Sequence, residues 1–345
     1  MAKIFLGMSG GVDSTAAAIL LKEQGHEVTG ITLKLWDEAS RCCDYEDVLD
    51  ARRACWKLGI RHYVLNMKRD FKKQVVDYFI SEYIKGRTPN PCVVCNEAIK
   101  FKALLSKVKE HGYDFAATGH YAAITKTKTG YFLKRSKDAK KSQEYFLARL
   151  DKKDLPRIIF PLSRITKEEA RAKVKEYGLY HDKKDSQETC FLKEGEGPFE
   201  FVNRNCRVKK GGELWHIDGH KIKDLDTAHY MYTVGQRRGL NTGGGEPLYV
   251  VSIDAKKRRV TAGPREAALE KKFIAAGLNK FYEIKDGKYR FHVKIRYQQA
   301  PCAATVNIKG DRAVTFFSKP QFAITPGQLA VFYRRDKVIL SGYII

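Results

Sequence analysis

A doubly wound parallel α/β domain followed by small β-rich domains is the fold class that the sequence predicts, on two observations. Up to about Asn205, short apolar runs alternate with stretches of helical periodicity, the pattern of strands joined by crossover helices. Beyond it, short β-type runs are punctuated by Gly211-Gly212, Asp218-Gly219, Gly243-Gly244-Gly245, Asp286-Gly287, Gly310-Asp311 and Pro326-Gly327, which are hairpin signals. The chain of 345 residues has room for two or three domains at ~150 residues each.

The elements follow in order. Lys3 to Met8 reads as a strand, Val12 to Gln24 as a helix closed by Gly25, and Val28 to Leu35 as the next strand, completing a βαβ unit. A helix from Tyr45 to Leu58 ends at Gly59, and His62 to Asn66 is a strand. A long helix is expected from Phe71 to Lys85, ending at Gly86, and another from Glu97 to Glu110. Phe115 to Thr118 is a strand, and Tyr121–Thr125 and Tyr131–Arg135 flank a turn at Thr129-Gly130. Lys167 to Tyr177 is a helix closed by Gly178, with Thr166 and Glu169 in capping-box spacing. Boundaries fall near 205 and 268, giving expected domains 1–204, 205–267 and 268–345. Ligands are expected beyond the carboxyl ends of the parallel strands.

The net charge of +24 exceeds what solubility asks for and points to a polyanionic partner. No apolar run reaches the ~18 residues of a spanning helix, and Ile4-Phe5-Leu6 runs directly into Ser9-Gly10-Gly11, so a cytoplasmic protein with no membrane partner is expected. The eight cysteines then read as reduced thiols. Cys42-Cys43, ahead of the cap candidate Asp44, read as structural or incidental, Cys55 as lying on the buried face of a helix, and Cys206 and Cys302 stand in no motif.

Ser9-Gly10-Gly11-Val12-Asp13-Ser14 joins the first strand to the first helix. Backbone amides and the helix N-terminus converge there on an anion site. The loop has no lysine before its serine, as the triphosphatase loop requires, and lacks G-x-G-x-x-G spacing. Asp13 is out of place beside phosphate unless it holds a metal or caps the helix; a plain tight turn is the bland alternative. The loop resembles that of the ATP-pyrophosphatase superfamily, in which it binds ATP, normally with Mg2+, and pyrophosphate leaves as a substrate oxygen is adenylylated.

Thr88-Pro89-Asn90-Pro91-Cys92-Val93-Val94-Cys95-Asn96 and Lys184-Asp185-Ser186-Gln187-Glu188-Thr189-Cys190-Phe191 carry thiols in polar surroundings. Cys95, just ahead of the expected helix, would have its pKa lowered by the helix dipole. Half of a zinc site is the alternative, without a second C-x-x-C or a histidine pair to complete it. Together with Gly7 to Ser14, Ala117-Thr118-Gly119-His120-Tyr121, Tyr232 to Leu240, Lys294-Ile295-Arg296-Tyr297 and Thr325-Pro326-Gly327-Gln328, these segments resemble the tRNA-specific 2-thiouridylases over essentially the whole chain.

That resemblance implies an N-terminal ATP-pyrophosphatase domain, a small β-rich central domain and a C-terminal β-barrel that grip the tRNA anticodon arm. It implies ATP-dependent thiolation at C2 of the wobble uridine of the lysine, glutamate and glutamine tRNAs. Gly7, Met8, Ser9, Gly10, Gly11, Val12, Asp13, Ser14, Leu33 and Gly119 would bind ATP. Asn90, Pro91 and Cys92 would face the base, and Lys141, Ser142, Gln143, Arg296 and Tyr297 would touch tRNA. The chain departs from the family at Ser142 and Glu144, where Asp and Ser are common, at Ser163 in place of Gly, and at Cys92, which is Asp in some members.

Two mechanisms stay open. Cys190 takes sulfur from a donor protein, a cysteine desulfurase or a relay, as a persulfide that Cys95 resolves. Alternatively Cys92, Cys95 and Cys190 hold a [4Fe-4S] cluster whose vacant iron carries hydrosulfide, and the convergence of three cysteines leans this way. His120 is either a satisfied loop histidine or a substrate contact. The rival functions are a non-catalytic RNA-binding protein and an ATP-dependent amide ligase acting on a small metabolite; neither gives all of Asp13, Cys95, Cys190 and the charge a role.

Overall fold

The structure, a computed structural model, describes residues 1–36, 45–128, 130–179, 189–206, 211–243 and 246–345. The expectations for Cys42, Cys43 and Asp44, and for the turn residue Thr129, lie outside the described residues. The chain divides into one unit of Met1–Val76, Pro91–Glu196 and Asp336–Val338 and a second of Asp77–Asn90, Gly197–Arg335 and Ile339–Ile345.

The first unit is built on β1 (Lys3–Gly7), β2 (Glu27–Lys34), β3 (Arg61–Asn66), β4 (Phe115–Thr118) and, after the hairpin β5 (Ala123–Thr127) and β6 (Gly130–Lys134), the short β7 (Ile158–Ile159). These strands, without the hairpin, form a parallel sheet of order β3-β2-β1-β4-β7. The chain winds outward from β1 to β3 and then returns to the other side of β1, so the topological switch point lies between β1 and β4. Helix α1 (Val12–Glu23) buries Ala16, Ala17, Ala18 and Ile19 completely. Three consecutive alanines let it lie close against its neighbours, among them the helix Lys167–Glu176. That helix carries the expected capping box, with Glu169 N donating to Thr166 Oγ1 at 3.2 Å and the Glu169 carboxylate accepting from Thr166 N. Helix α2 (Tyr45–Lys57) buries Cys55 as expected, and desolvation pushes its thiol up to about 12.

Two helical segments differ from the expectation. The run expected from Phe71 to Lys85 is an α-turn at Lys68–Phe71, a π-turn at Lys72–Val76 and an α-helix at Asp77–Ile84. The helix expected to begin at Glu97 begins at Pro91, passes through a π-turn at Asn96–Lys100 and continues as Phe101–Glu110. Proline suits a first helical turn because its missing N–H would have no partner there.

In the second unit, β8 (Glu213–His216), β9 (Lys221–Asp224), β10 (Tyr249–Asp254) and β11 (Arg259–Gly263) form a sheet of order β10-β11-β8-β9 around Leu214, Val250 and Val260. The strands β12 (Leu269–Lys280), β13 (Gly287–Lys294), β14 (Cys302–Lys309), β15 (Arg312–Phe322), β16 (Leu329–Arg334) and β17 (Lys337–Ile344) follow in the order β12-β15-β14-β13-β16-β17, and β12 pairs back onto β17, closing a barrel. Its interior is filled by alternating residues such as Phe291, Val293, Val306, Ile308 and Phe332.

Candidate active site

The glycine loop leaves the carboxyl end of β1 at the switch point. Gly10 has φ +75°, and a Cβ there would stand 2.4 Å from the Asp47 carbonyl oxygen, so no other residue fits. Ser14 is buried; its Oγ accepts from Ser9 N at 3.2 Å and donates to the Gly11 carbonyl at 3.1 Å, tying the loop to the first turn of α1. Thr15 Oγ1 donates to the same carbonyl at 3.0 Å. The N-cap is Gly11, which has no side chain to cap with. The alternative in which Asp13 caps α1 is therefore set aside.

Asp13 instead has two partners that sequence reasoning missed. Lys167 Nζ lies 2.7 Å from its Oδ1, and Tyr121 OH donates to the same oxygen at 2.9 Å. Lys167 is 4% exposed, so its charge is neutralised where water cannot do it. Tyr121 is held by Gln143: Tyr121 N donates to Gln143 Oε1 at 2.9 Å, and Gln143 N donates to Tyr121 O at 2.6 Å. Gln143, an expected tRNA contact, thus positions a loop residue. The motif containing Tyr121 was visible in sequence; its link to Lys167 was not.

From β4, Gly119 closes the other side of the switch point. A Cβ on it would come within 2.6 Å of the Asp13 carbonyl carbon and 2.8 Å of Ser14 N, so backbone rests on backbone here. His120 Nδ1 lies 2.8 Å from Thr118 Oγ1, and its ring packs near Phe101 and Phe160. Enclosure of the ring, aided by the Lys100 charge, lowers its pKa to about 3. Leu33 sits near the carboxyl end of β2, mostly buried.

Cys92 and Cys95 both lie within the helix Pro91–Cys95, three residues apart and therefore on neighbouring positions of one face. Cys92 is exposed and Cys95 buried. The expectation of a dipole-lowered Cys95 thiol is corrected: burial pushes it up to about 11, against the opposing pull of Lys100, with Cys92 adding to the rise. Cys190 keeps part of its surface open, while the next residue, Phe191, is buried in an aromatic cluster with Trp36 and Phe71 at centroid distances of 6.5 and 5.8 Å. The cluster anchors the backbone that presents Cys190. Among the described residues, Cys55, Cys92, Cys95, Cys190, Cys206 and Cys302 are not in disulfides.

Two of the expected tRNA contacts have partners within the protein. Ser142 is 4% exposed; its Oγ donates to Glu144 Oε2 at 2.6 Å and accepts from Ser136 N at 3.0 Å, which makes it an internal brace. Arg296 directs its Nη2 to the Ala323 carbonyl and Thr325 Oγ1, both at 2.7 Å, and to the Val234 carbonyl at 3.5 Å, so that it joins segments of the second unit. Tyr297 lies under the Lys294 ammonium at 5.4 Å, Lys141 is half-buried with its amide on Asp138, and Asn90 and the buried Pro91 lead into the Cys92 helix.

A parallel sheet of this order, with a glycine loop and a helix N-terminus at its switch point, defines a doubly wound α/β domain of the kind in which phosphate-bearing ligands bind at that place. Residues 2–194 match the family described as tRNA methyl transferase HUP domain, residues 200–264 the tRNA methyl transferase PRC-barrel domain, and residues 270–344 the aminomethyltransferase beta-barrel domain. The tRNA-specific 2-thiouridylase MnmA of Geobacter metallireducens is 40% identical over 99% of this chain and 96% of its own. That of Acetivibrio thermocellus is 42% identical over 99% of both chains. MnmA 2 of Clostridium tetani is 41% identical over 99% of this chain and 98% of its own. A solved 4-thiouridine synthetase–RNA complex with bound ATP is similar at 22% identity and a TM-score of 0.36, over 52% of this chain and 41% of that one. The chain belongs to the tRNA-specific 2-thiouridylase family, and it is an enzyme.

Proposed function

We propose that the chain converts C2 of the wobble uridine in tRNA from carbonyl to thiocarbonyl at the expense of ATP. The observation that carries the reading is the meeting of loop 7–14 with Gly119 at the switch point, in a chain of this family. Gly7, Met8, Ser9, Gly10, Gly11, Val12, Asp13, Ser14, Leu33 and Gly119 form the ATP site in this reading. Uridine O2 attacks the α-phosphorus and pyrophosphate departs; sulfur then adds at C2, and AMP carries the oxygen away. The charge of +24 suits the anticodon arm as partner.

The chain's own groups divide the work. Lys167 and Tyr121 fix the Asp13 carboxylate on the first turn of α1. With an ammonium 2.7 Å from its Oδ1, Asp13 does not fit as a magnesium ligand. Cys190, the more open of the two catalytic candidates, suits sulfur acceptance; Cys95, which burial keeps protonated at neutral pH, must give up its proton, ultimately to the departing thiouridine, to act in the later resolving step. In that step Cys95 bonds to Cys190 sulfur, the thiouridine leaves, and a thiol reductant must return two electrons to the resulting disulfide. The second sulfur chemistry is a [4Fe-4S] cluster: Cys92 and Cys95, on one helix face, would hold it together with Cys190, and its open corner would supply bound hydrosulfide.

The test is transfer of radiolabelled sulfur to tRNA with ATP, compared with ATP turnover on small carboxylates. Label in tRNA that depends on ATP supports the reading. ATP-driven amide formation with no label in tRNA would replace it with the ligase alternative.

A further inference from the structure

Away from these residues, the β8–β9 hairpin brings three metal-ligating side chains together within five consecutive residues. His216 Nδ1 lies 2.9 Å from Asp218 Oδ2, and His220 Nδ1 lies 2.7 Å from Asp218 Oδ1, so the carboxylate stands between two imidazoles. The two rings stack at a centroid distance of 5.0 Å and an interplanar angle of 23°. One donor atom from each residue lies within 4.8 Å of the others, and the described residues hold no other group of three such donors.

We propose that His216, Asp218 and His220 form a site for a divalent transition-metal ion of the zinc class, with two imidazole nitrogens and one carboxylate oxygen as ligands and water completing the shell. Nitrogen and oxygen donors of this kind bind zinc at ~2.0–2.2 Å, and tetrahedral bonds of that length place ligand atoms roughly 3.3 Å apart. The His216–Asp218 and His220–Asp218 separations of 2.9 and 2.7 Å, each to a different carboxylate oxygen, are those of direct contact, so the side chains must part by about half an ångström to admit the ion.

The backbone gathers these donors in advance. His216 N donates to His220 O at 2.8 Å, Gly219 N donates to His216 O at 3.1 Å, and His220 N donates to Asp218 Oδ1 at 3.2 Å. Gly219 takes φ +101°, which allows so short a loop. At the base of the hairpin, Lys221 pairs with Asp224 at 2.8 Å and Glu213 at 3.5 Å, and Arg259 packs 3.8 Å over Trp215, so neighbouring cations are engaged away from the site. Histidine–carboxylate contacts also serve as plain ion pairs; two imidazoles converging on one carboxylate, across a closed loop and open to solvent, are what an ion needs in addition.

The experiment titrates zinc chloride into the full-length chain by calorimetry, beside Asp218→Asn and His220→Gln, with far-UV circular dichroism as the fold control. Cobalt(II) spectra identify the donors. Zinc uptake of one equivalent that weakens at least tenfold in both variants, and cobalt d–d bands that diminish in them, are expected. Wild-type zinc uptake in the variants would overturn the proposal. So would cobalt spectra showing only sulfur-to-metal charge-transfer bands that the variants leave unchanged, because the ion would then sit on cysteine.

Discussion

The Gln328 side-chain amide donates to the Thr88 carbonyl at 2.8 Å, across 240 residues of sequence. Thr88 N returns a bond to the Pro326 carbonyl at 2.9 Å, and Gly327, at φ +91°, leaves only 3.0 Å between a hypothetical Cβ and the Thr88 backbone. The segment 325–328 therefore grips the strand of chain that runs on into Asn90, Pro91 and Cys92.

Gln328→Ala should loosen that grip at a cost of about 1 kcal/mol. The expected outcome is a thermal midpoint lowered by a few degrees and thiolation reduced several-fold, with ATP affinity unchanged. Thiolated tRNA separated on mercury-containing gels gives the readout, and wild-type turnover would show that the grip is idle.

Asp13→Ala should cost more than turnover. It removes the carboxylate that lies 2.7 Å from the buried Lys167 ammonium, a defect of roughly 1–3 kcal/mol, so loss of stability is expected along with loss of ATP-dependent thiolation. Asp13→Asn combined with Lys167→Met removes both charges and should recover the melting temperature without recovering activity. Ser14→Ala should also abolish thiolation. Full activity from Asp13→Asn or Ser14→Ala would remove the loop from the mechanism.

Cysteine variants separate the two sulfur chemistries. Cys95→Ser and Cys190→Ser should each abolish thiolation. Cys92→Asp should be inactive and iron-free if a cluster is required, and active with a supplied persulfide donor if it is not; anaerobic purification with iron and sulfide analysis reads the difference. Because burial raises the Cys95 thiol to about 11, its alkylation in the metal-free chain should be slow at pH 7 and accelerate up to about pH 11. Rapid labelling of Cys95 at neutral pH would show that the thiol is not held in this buried state.

His120 should make the protein acid-sensitive. Its folded-state pKa of about 3 lies below the ~6.5 of an unfolded histidine, so between these values the unfolded chain binds the additional proton. The contribution to stability is full above pH 6.5 and declines as pH falls toward 3. Urea midpoints of His120→Gln should be flatter with pH over that window than those of the wild type, and identical slopes would contradict the assignment.

Affinity for tRNA should fall steeply with salt, since each neutralised phosphate releases counterions. Binding that stays constant between about 50 and 200 mM salt would mean that the charge does not face nucleic acid. Arg296→Ala should act differently from a phosphate contact: because its guanidinium holds Ala323, Thr325 and Val234, it should lower stability and leave the salt slope nearly unchanged.

The parallel sheet, the capping box at Thr166 and the β-rich C-terminal half were legible because they rest on local periodicity and turn chemistry. The π-turns at 72–76 and 96–100 were not, since one widened turn barely disturbs the apolar pattern that signals a helix. Pro91 did carry a start signal, and reading it would have placed Cys95 inside the helix rather than ahead of it. Lys167 meets Asp13 across 154 residues, a distance over which no local pattern operates. Ser142 and Glu144 looked like departures from the family, yet the structure joins them in a hydroxyl–carboxylate bond. The usual Asp and Ser carry the same two chemical groups in the opposite order, so the departure is an exchange.

At Gly119 the turn after β4 rests on the backbone of Asp13 and Ser14, with no room for a side chain between them. Side chains yield to a visitor by turning about single bonds, but abutting backbones have no such freedom. A ligand at this collar meets a shape settled during folding, and little of its binding energy is spent on ordering the receptor. Discrimination between nucleotides should then arise from the fit of the ligand to a fixed outline, and differ little between a cold sample and a warm one.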